Sequence, residues 1–251
     1  MSSGAAPARY GAAMAAATLL LFFLAQVAGA MLVAATTAVI ALLTGGAPNP
    51  RALTAAIARS GPIVVLVSFL LGGAAALFAA RAWAWNLVKD KSRNGIGLAA
   101  PRAAQLLACS AAGLLLASGY VALAHFLFPA RPGTPLGPLL QIASSSPLGQ
   151  VIFAVLAVFL APPVEELLFR GLLLRGFAES WGMPAAGAIV TVIFVILHLT
   201  ETWHYPLSIV AIVALALATL AARLLTGTIA AAAALHAAYN GVMIAVTFAT
   251  T

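Results

Sequence analysis

Acid is scarce in this chain. Five Asp and Glu face twelve Lys and Arg, the formal net charge is +7, and charged types make up 7% of the residues. Cysteine is nearly absent as well. The single Cys109 lies in an apolar run, so it forms no internal disulfide, offers no metal-ligand spacing, and reads as a small buried residue. No soluble domain, low-complexity tail or internal repeat is legible. The positive charge does not point to nucleic acid. The basic residues are few and sit in loops between apolar runs, the pattern that sets membrane orientation.

What the chain has instead is apolar length. Apolar types make up 64%, and several runs exceed the roughly 20 residues a spanning helix needs. The expected fold is all-α, a polytopic transmembrane bundle of about seven spanning helices. The spans are drawn at about Tyr10–Leu43, Pro62–Val88, Pro101–Phe128, Leu148–Ala178, Pro184–Leu199, Pro206–Leu225 and Thr228–Thr250. The first run is long for one helix and is either strongly tilted or broken near Gly29. It also greatly exceeds the apolar region of a cleavable signal peptide, despite Arg9 before it and Ala28-Gly29-Ala30 within it. The chain divides into N-terminal spans (1–147) and a C-terminal core (148–251), expected to form one integrated domain.

Lys89, Lys91, Arg93 and Arg102 cluster between the second and third spans. With seven spans this loop shares a side with Arg9, the Glu179–Met183 turn and the Thr226–Thr228 turn, which places the N-terminus in the cytoplasm. Trp83, Trp85 and Trp181 fit one interfacial belt, and Trp203 and Tyr205 the other. The Ala130–Pro147 connection is rich in Pro, Gly and Ser and reads as irregular. The high alanine content is of the kind a GC-rich bacterial genome produces, so the expected location is a bacterial inner membrane.

Against this background, two adjacent acids inside a spanning run demand a reason. Glu165 and Glu166 lie in the segment Val151–Leu174, where an ionisable group costs roughly 2.5–3.5 kcal/mol on insertion scales. Arg170 follows Glu166 by one helical turn and can pair with it. Glu165 points elsewhere and has no local cation. Two further spaced pairs sit on later spans, Phe194 with His198 and His236 with Asn240. A short turn near Trp181 makes the fourth and fifth spans antiparallel neighbours. Glu166 and His198 lie at similar distances on either side of it, so at 1.5 Å per residue their levels differ by a few Å. His236 and Asn240 project from one face of the seventh span, roughly 14–20 Å in from the Gly227 turn by the same rise. Three helices thus present carboxylate, imidazole, imidazole and amide to one cavity.

Each residue also has a plainer reading. Intramembrane His and Asn often serve as interhelical hydrogen-bond glue, and Asn240 by itself reads so. Glu166–Arg170 reads as a structural ion pair and Phe194 as packing. His125, near a helix end, and His204, in the Thr200–Tyr205 loop, are left out of the site. Pro162-Pro163 remove two amide donors, so the carbonyls of Val158 and Phe159 lose their usual helix partners. A break of that kind is tolerated at membrane depth where it is buried in protein or lines a wet cavity.

The motifs EExxxR (Glu165–Arg170), FxxxH (Phe194–His198) and HxxxN (His236–Asn240), in this order on successive apolar segments and with APPVEELLFRG around the first, resemble the CPBP family, also called Abi. That family includes the CAAX-prenyl proteases and bacterial intramembrane proteases of glutamic type. The resemblance covers about Gln150–Val246. It implies that Glu165 is the general base that activates water and that His198 helps to position that water. It implies further that His236 and Asn240 stabilise the oxyanion and that Glu166 and Arg170 hold the helix. No cofactor is implied, and the partners are the bilayer and a membrane-embedded or membrane-associated protein or peptide substrate.

Three other readings compete. A zinc protease would use Glu165, His198 and His236 as ligands, with an open water position; HExxH is absent, which leaves a scattered site. A non-catalytic scaffold or partner protein would keep the fold without the chemistry, against which the intact motif set argues. A proton-coupled transporter would use Glu165 as a relay, but would favour repeated halves, whereas the polar residues here are confined to the C-terminal half.

Overall fold

In the computed structural model, residues 10–45, 49–92, 94–127, 141, 146–203 and 205–250 are described. Among them there is no strand, and seven helices are long and apolar enough to cross a membrane. The protein is an integral membrane protein of all-α fold.

Helix α1 (Ala12–Gly45) is one unbroken helix of 34 residues, about 51 Å long at 1.5 Å per residue. Gly29 does not break it. Glycine is there for contact: a Cβ at Gly29 would lie 2.8 Å from Ser68 Cα, so its absence lets α1 lie directly on α3 (Gly61–Trp83). The connection between them is itself ordered as a short exposed helix, α2 (Pro50–Arg59). Its start is set by Pro50 and by Asn49, whose side chain accepts the Arg51 N–H at 3.0 Å.

The second span ends at Trp83 rather than Val88, with a one-turn helix, α4 (Trp85–Lys89), beyond it. Trp85 carries the Arg81 guanidinium 4.2 Å and the Lys89 ammonium 5.2 Å from its ring centroid. The stretch that follows is more than an orienting basic loop. Asp90 Oδ1 accepts the Ser92 N–H at 2.8 Å, and hydrogen bonds from Ser92 hold the Asp90 carboxyl below the usual carboxylate range. Ile96 is fully buried in the core. Gly97, at φ +87°, turns the chain so that its carbonyl accepts the Ile229 N–H at 2.9 Å. Arg223 Nη2 donates to Gly95 O at 2.8 Å.

Helices α5 (Ala103–Leu127), α6 (Pro147–Trp181), α7 (Met183–Thr202), α8 (Pro206–Thr226) and α9 (Ile229–Thr250) complete the bundle. Of the Ala130–Pro147 connection, all but Gln141, Ser146 and Pro147 lies outside the described residues, as do His204, Arg9 and Arg93.

Helix α6 stays helical through Pro162-Pro163. It does so by changing register: Leu156–Leu160 and Leu167–Leu173 are wound as π-helix. In the first stretch Ala161 N–H reaches back to Leu156 O. Pro162 has no N–H to offer in that register, so the Ala157 carbonyl also goes without a helix partner, beside those that the prolines deprive. The core gathers around the second half of α6. Leu167 to Leu174 and Phe177 are buried against Tyr10, Ala15 and Phe22, Ala76 and Ala80 of α3, and Val190 and Phe194 of α7.

Candidate active site

The two acids leave α6 about 100° apart, as neighbours on a helix must, and meet different surroundings. Glu166 is fully buried. Its Oε1 receives His236 Nδ1 at 3.0 Å and faces Arg170 Nη1 at 3.4 Å. Glu165 retains 18% exposure, and its Oε2 has no hydrogen-bond partner. His236 Nε2 stands 3.9 Å from that oxygen, beyond hydrogen-bond range. One imidazole thus bridges the acids, bonded to the buried one and poised beside the free one. The sequence reading paired Glu166 with Arg170 alone; the bond from His236 is what it missed.

The Glu166 carboxylate, held by the Arg170 guanidinium, accepts and cannot donate, so His236 carries its proton on Nδ1. Nε2 is then an acceptor in the neutral ring and a donor in the imidazolium. His198 is oriented by the same logic. Its Nδ1 lies 2.8 Å from Phe194 O, a carbonyl that only accepts, which leaves Nε2 unspent. Phe194 is fully buried and does more than fill space. The His198 ring stacks on it at 4.3 Å, the Arg170 guanidinium carbon lies 4.5 Å from its centroid, and His236 meets it edge-on at 5.9 Å. Arg170 also donates from Nη2 to Ala216 O at 3.0 Å, which fixes it to α8.

Asn240 Nδ2 donates to Ala157 O at 2.8 Å. That carbonyl is left without a helix partner by the π-register and Pro162, so the amide repairs this part of the break. One of its two N–H bonds remains.

Glu165, His198, His236 and Asn240 all line one cavity of about 510 Å³. The Gly227 turn is itself buried, and α9 begins within the bundle, on the Gly97 carbonyl. From the acids the cavity runs toward the end at which α3 and α8 begin and α7 and α9 end, past Val64, Thr202, Ser208 and Thr247. Tyr120 and Ser208 bond across it at 2.9 Å. Gln26, Ser68, Tyr120, Ser208 and Tyr239 were not singled out in the sequence. Each is an uncharged polar residue of a kind common in apolar helices, and Tyr239 lies inside the HxxxN motif without being one of its fixed positions. Among the described residues no three His, Cys, Asp or Glu side chains are grouped to hold a metal ion, Glu165, His198 and His236 included. His125 lies apart, edge-on to Phe126 at 5.4 Å.

One buried and one partly exposed carboxylate, two oriented imidazoles and an amide thus gather in a membrane-spanning bundle, and all but the buried carboxylate line one internal cavity. Residues 147–242 match the family described as Type II CAAX prenyl endopeptidase Rce1-like, which is the CPBP, or CAAX protease, family. The matched segment is under half of the chain and contains all three motifs. Comparison with curated proteins and with solved structures finds no match.

Proposed function

We propose that the protein is an intramembrane endopeptidase in which Glu165 activates water for attack on a peptide bond. The observation that carries this reading is the Glu165 carboxylate itself. It lines the cavity, partly exposed and with Oε2 unpartnered, while its neighbour Glu166 is fully buried behind the cavity wall, with Oε1 bonded to His236 and facing Arg170 and its other oxygen shut away from the cavity. An acid kept free at that depth is placed to take a proton.

In the proposed reaction, Glu165 accepts a proton as a water oxygen adds to the scissile carbonyl, and His198 Nε2 helps to position that water. The developing oxyanion is met by the remaining Asn240 N–H and by His236 Nε2–H, which exists in the imidazolium form alone because Nδ1–H is given to Glu166. The proton held by Glu165 then passes to the leaving amine. The substrate is a membrane-embedded or membrane-associated protein or peptide. No metal takes part, because these side chains supply base and donors directly. The location we propose is a bacterial inner membrane with the N-terminus in the cytoplasm, on the basic-loop argument.

The test compares membranes containing wild-type or Glu165→Gln protein. Membrane polypeptides that remain full-length with Glu165→Gln and are shortened by the wild type are the expected result. Purified Glu165→Gln protein should then turn over such a substrate at less than a few per cent of the wild-type rate. Retained turnover would remove Glu165 from the role of base.

A further inference from the structure

The cavity is not built from the family segment alone. Gln26 of α1, four residues of α3 and Tyr120 of α5 form one of its walls. Within that wall one hydroxyl is anomalous. A Ser or Thr inside a helix usually returns its hydroxyl to the carbonyl one turn earlier. Thr18, Thr191, Thr202 and Thr219 all do so, at 2.8–3.0 Å. Ser68 does not: its Oγ is buried, lines the cavity and has no hydrogen-bond partner. Gln26 comes to the same region. It crosses α3 at Gly72, where a Cβ would stand 2.8 Å from its Cγ and 3.1 Å from its Nε2. A glycine at that point leaves the path for the amide to reach the cavity.

The distance of these groups from the acids follows from packing. Gly73 lies against Val164, the residue before Glu165; a Cβ there would meet Val164 Cγ2 at 3.3 Å. Ser68 lies five residues earlier on α3, about 7 Å nearer the open end. An extended peptide advances about 3.3–3.6 Å per residue, so Ser68 sits about two residues from a bond held at Glu165.

We propose that Ser68 and Gln26 form a substrate-positioning subsite, supplied by the N-terminal spans, that hydrogen-bonds the peptide group about two residues from the scissile bond. A hydroxyl and a primary amide each donate and accept, which matches the N–H and C=O of one peptide unit. The chemistry also names the substrate's state. A helical segment has its peptide groups bonded internally, whereas an extended one in an apolar cavity must find partners on the wall. The site therefore takes an unwound, extended stretch, presented from the end where α3 and α8 begin. This inference rests on the reading of Glu165 as the base.

The first arm of the test needs no turnover. In protein carrying Glu165→Gln, Cys109→Ala and Ser68→Cys, the rate of labelling by N-ethylmaleimide at position 68 is measured with and without a saturating extended probe, an apolar hexapeptide of alternating Ala and Val. At least threefold protection is expected; unchanged labelling overturns the proposal. The second arm uses a quenched peptide cut by the wild type, and its analogue N-methylated two residues from the cut. Ser68→Ala and Gln26→Leu should each raise KM about tenfold with kcat within twofold. N-methylation should raise KM about tenfold in the wild type and less than twofold in Ser68→Ala. A loss of kcat with KM unchanged, or equal methylation penalties in both proteins, would make Ser68 a packing residue and overturn the subsite. Full turnover by Glu165→Gln would sink the base assignment instead, and the labelling arm would still decide whether an extended peptide sits at Ser68.

Discussion

At the scale of single residues, the buried half of the acid pair is the part of the site most open to a stability measurement. Glu166 and Arg170 are both essentially inaccessible, so removing one partner leaves a charge with no solvent to receive it. Arg170→Ala is expected to cost about 3–5 kcal/mol, lowering the melting temperature in detergent and with it the yield. Replacing both, Glu166→Gln with Arg170→Gln, should recover part of that loss. An Arg170→Ala protein as stable as the wild type would mean that Glu166 is balanced by His236 without help. The donor set gives a second expectation. Elemental analysis of active protein should find no stoichiometric metal; about one zinc per chain, lost with activity on chelation and restored by zinc, would replace the metal-free scheme. The sequence allowed much of this to be read. Two acids and two imidazoles stand out in an apolar chain because each is costly, and helix periodicity alone separates Glu165 from Glu166. The His236–Glu166 bond was not legible, since it depends on where α9 starts, and that is set by a carbonyl well over a hundred residues away at Gly97.

At the scale of elements, α6 shows how a helix can carry two adjacent prolines without ending. The π-register frees the Ala157 carbonyl from its usual partner, and Asn240 of α9 takes it. Asn240 therefore holds two roles that stability and activity measurements can separate. Asn240→Leu is expected to lower stability by about 1–3 kcal/mol, the cost of a buried carbonyl left without a donor, as well as to slow turnover. An unchanged melting temperature with lost activity would assign the amide to the oxyanion alone. The spans themselves were legible because apolar length is a coarse, robust signal. The π-turns were not, because nothing in the Leu156–Leu160 sequence distinguishes a five-residue register from a four-residue one. Helix α2 escaped for a related reason: ten residues with Arg at either end look like any polar connection until Asn49 and Pro50 are seen to start it.

For the whole molecule, one end is sealed and the other open. Ala12 N–H donates to Ser180 Oγ at 2.9 Å, and the Arg223–Gly95 and Ile229–Gly97 bonds tie the Gly227 turn to the basic loop, which packs on α6 at Gly171. The start of α1, the basic loop, the Trp181 turn and the Gly227 turn therefore share a single end. The expected orientation puts that end in the cytoplasm. In a Cys109→Ala background, Ser92→Cys and Ser180→Cys should react with an impermeant thiol reagent after the membrane is opened, and not before. Thr54→Cys, on the exposed α2, should react in intact cells. Labelling of Ser180→Cys from outside would invert the orientation while leaving the site unchanged.

The placement of the last helix has a consequence for biosynthesis. Glu166 and Arg170 enter the membrane on α6, but the imidazole that bridges the two acids lies 70 residues later in the chain. At about 5–20 residues per second of synthesis, the acids wait roughly 4–14 s, Glu166 with only the cation on its own helix for company. The buried loop waits longer still: Ile96 and Gly97 are made early, yet the N–H that Gly97 receives belongs to Ile229. The unfinished chain therefore holds its acids without an assembled site. The closing of the sealed end and the arming of Glu165 become a single event, timed by the arrival of α9.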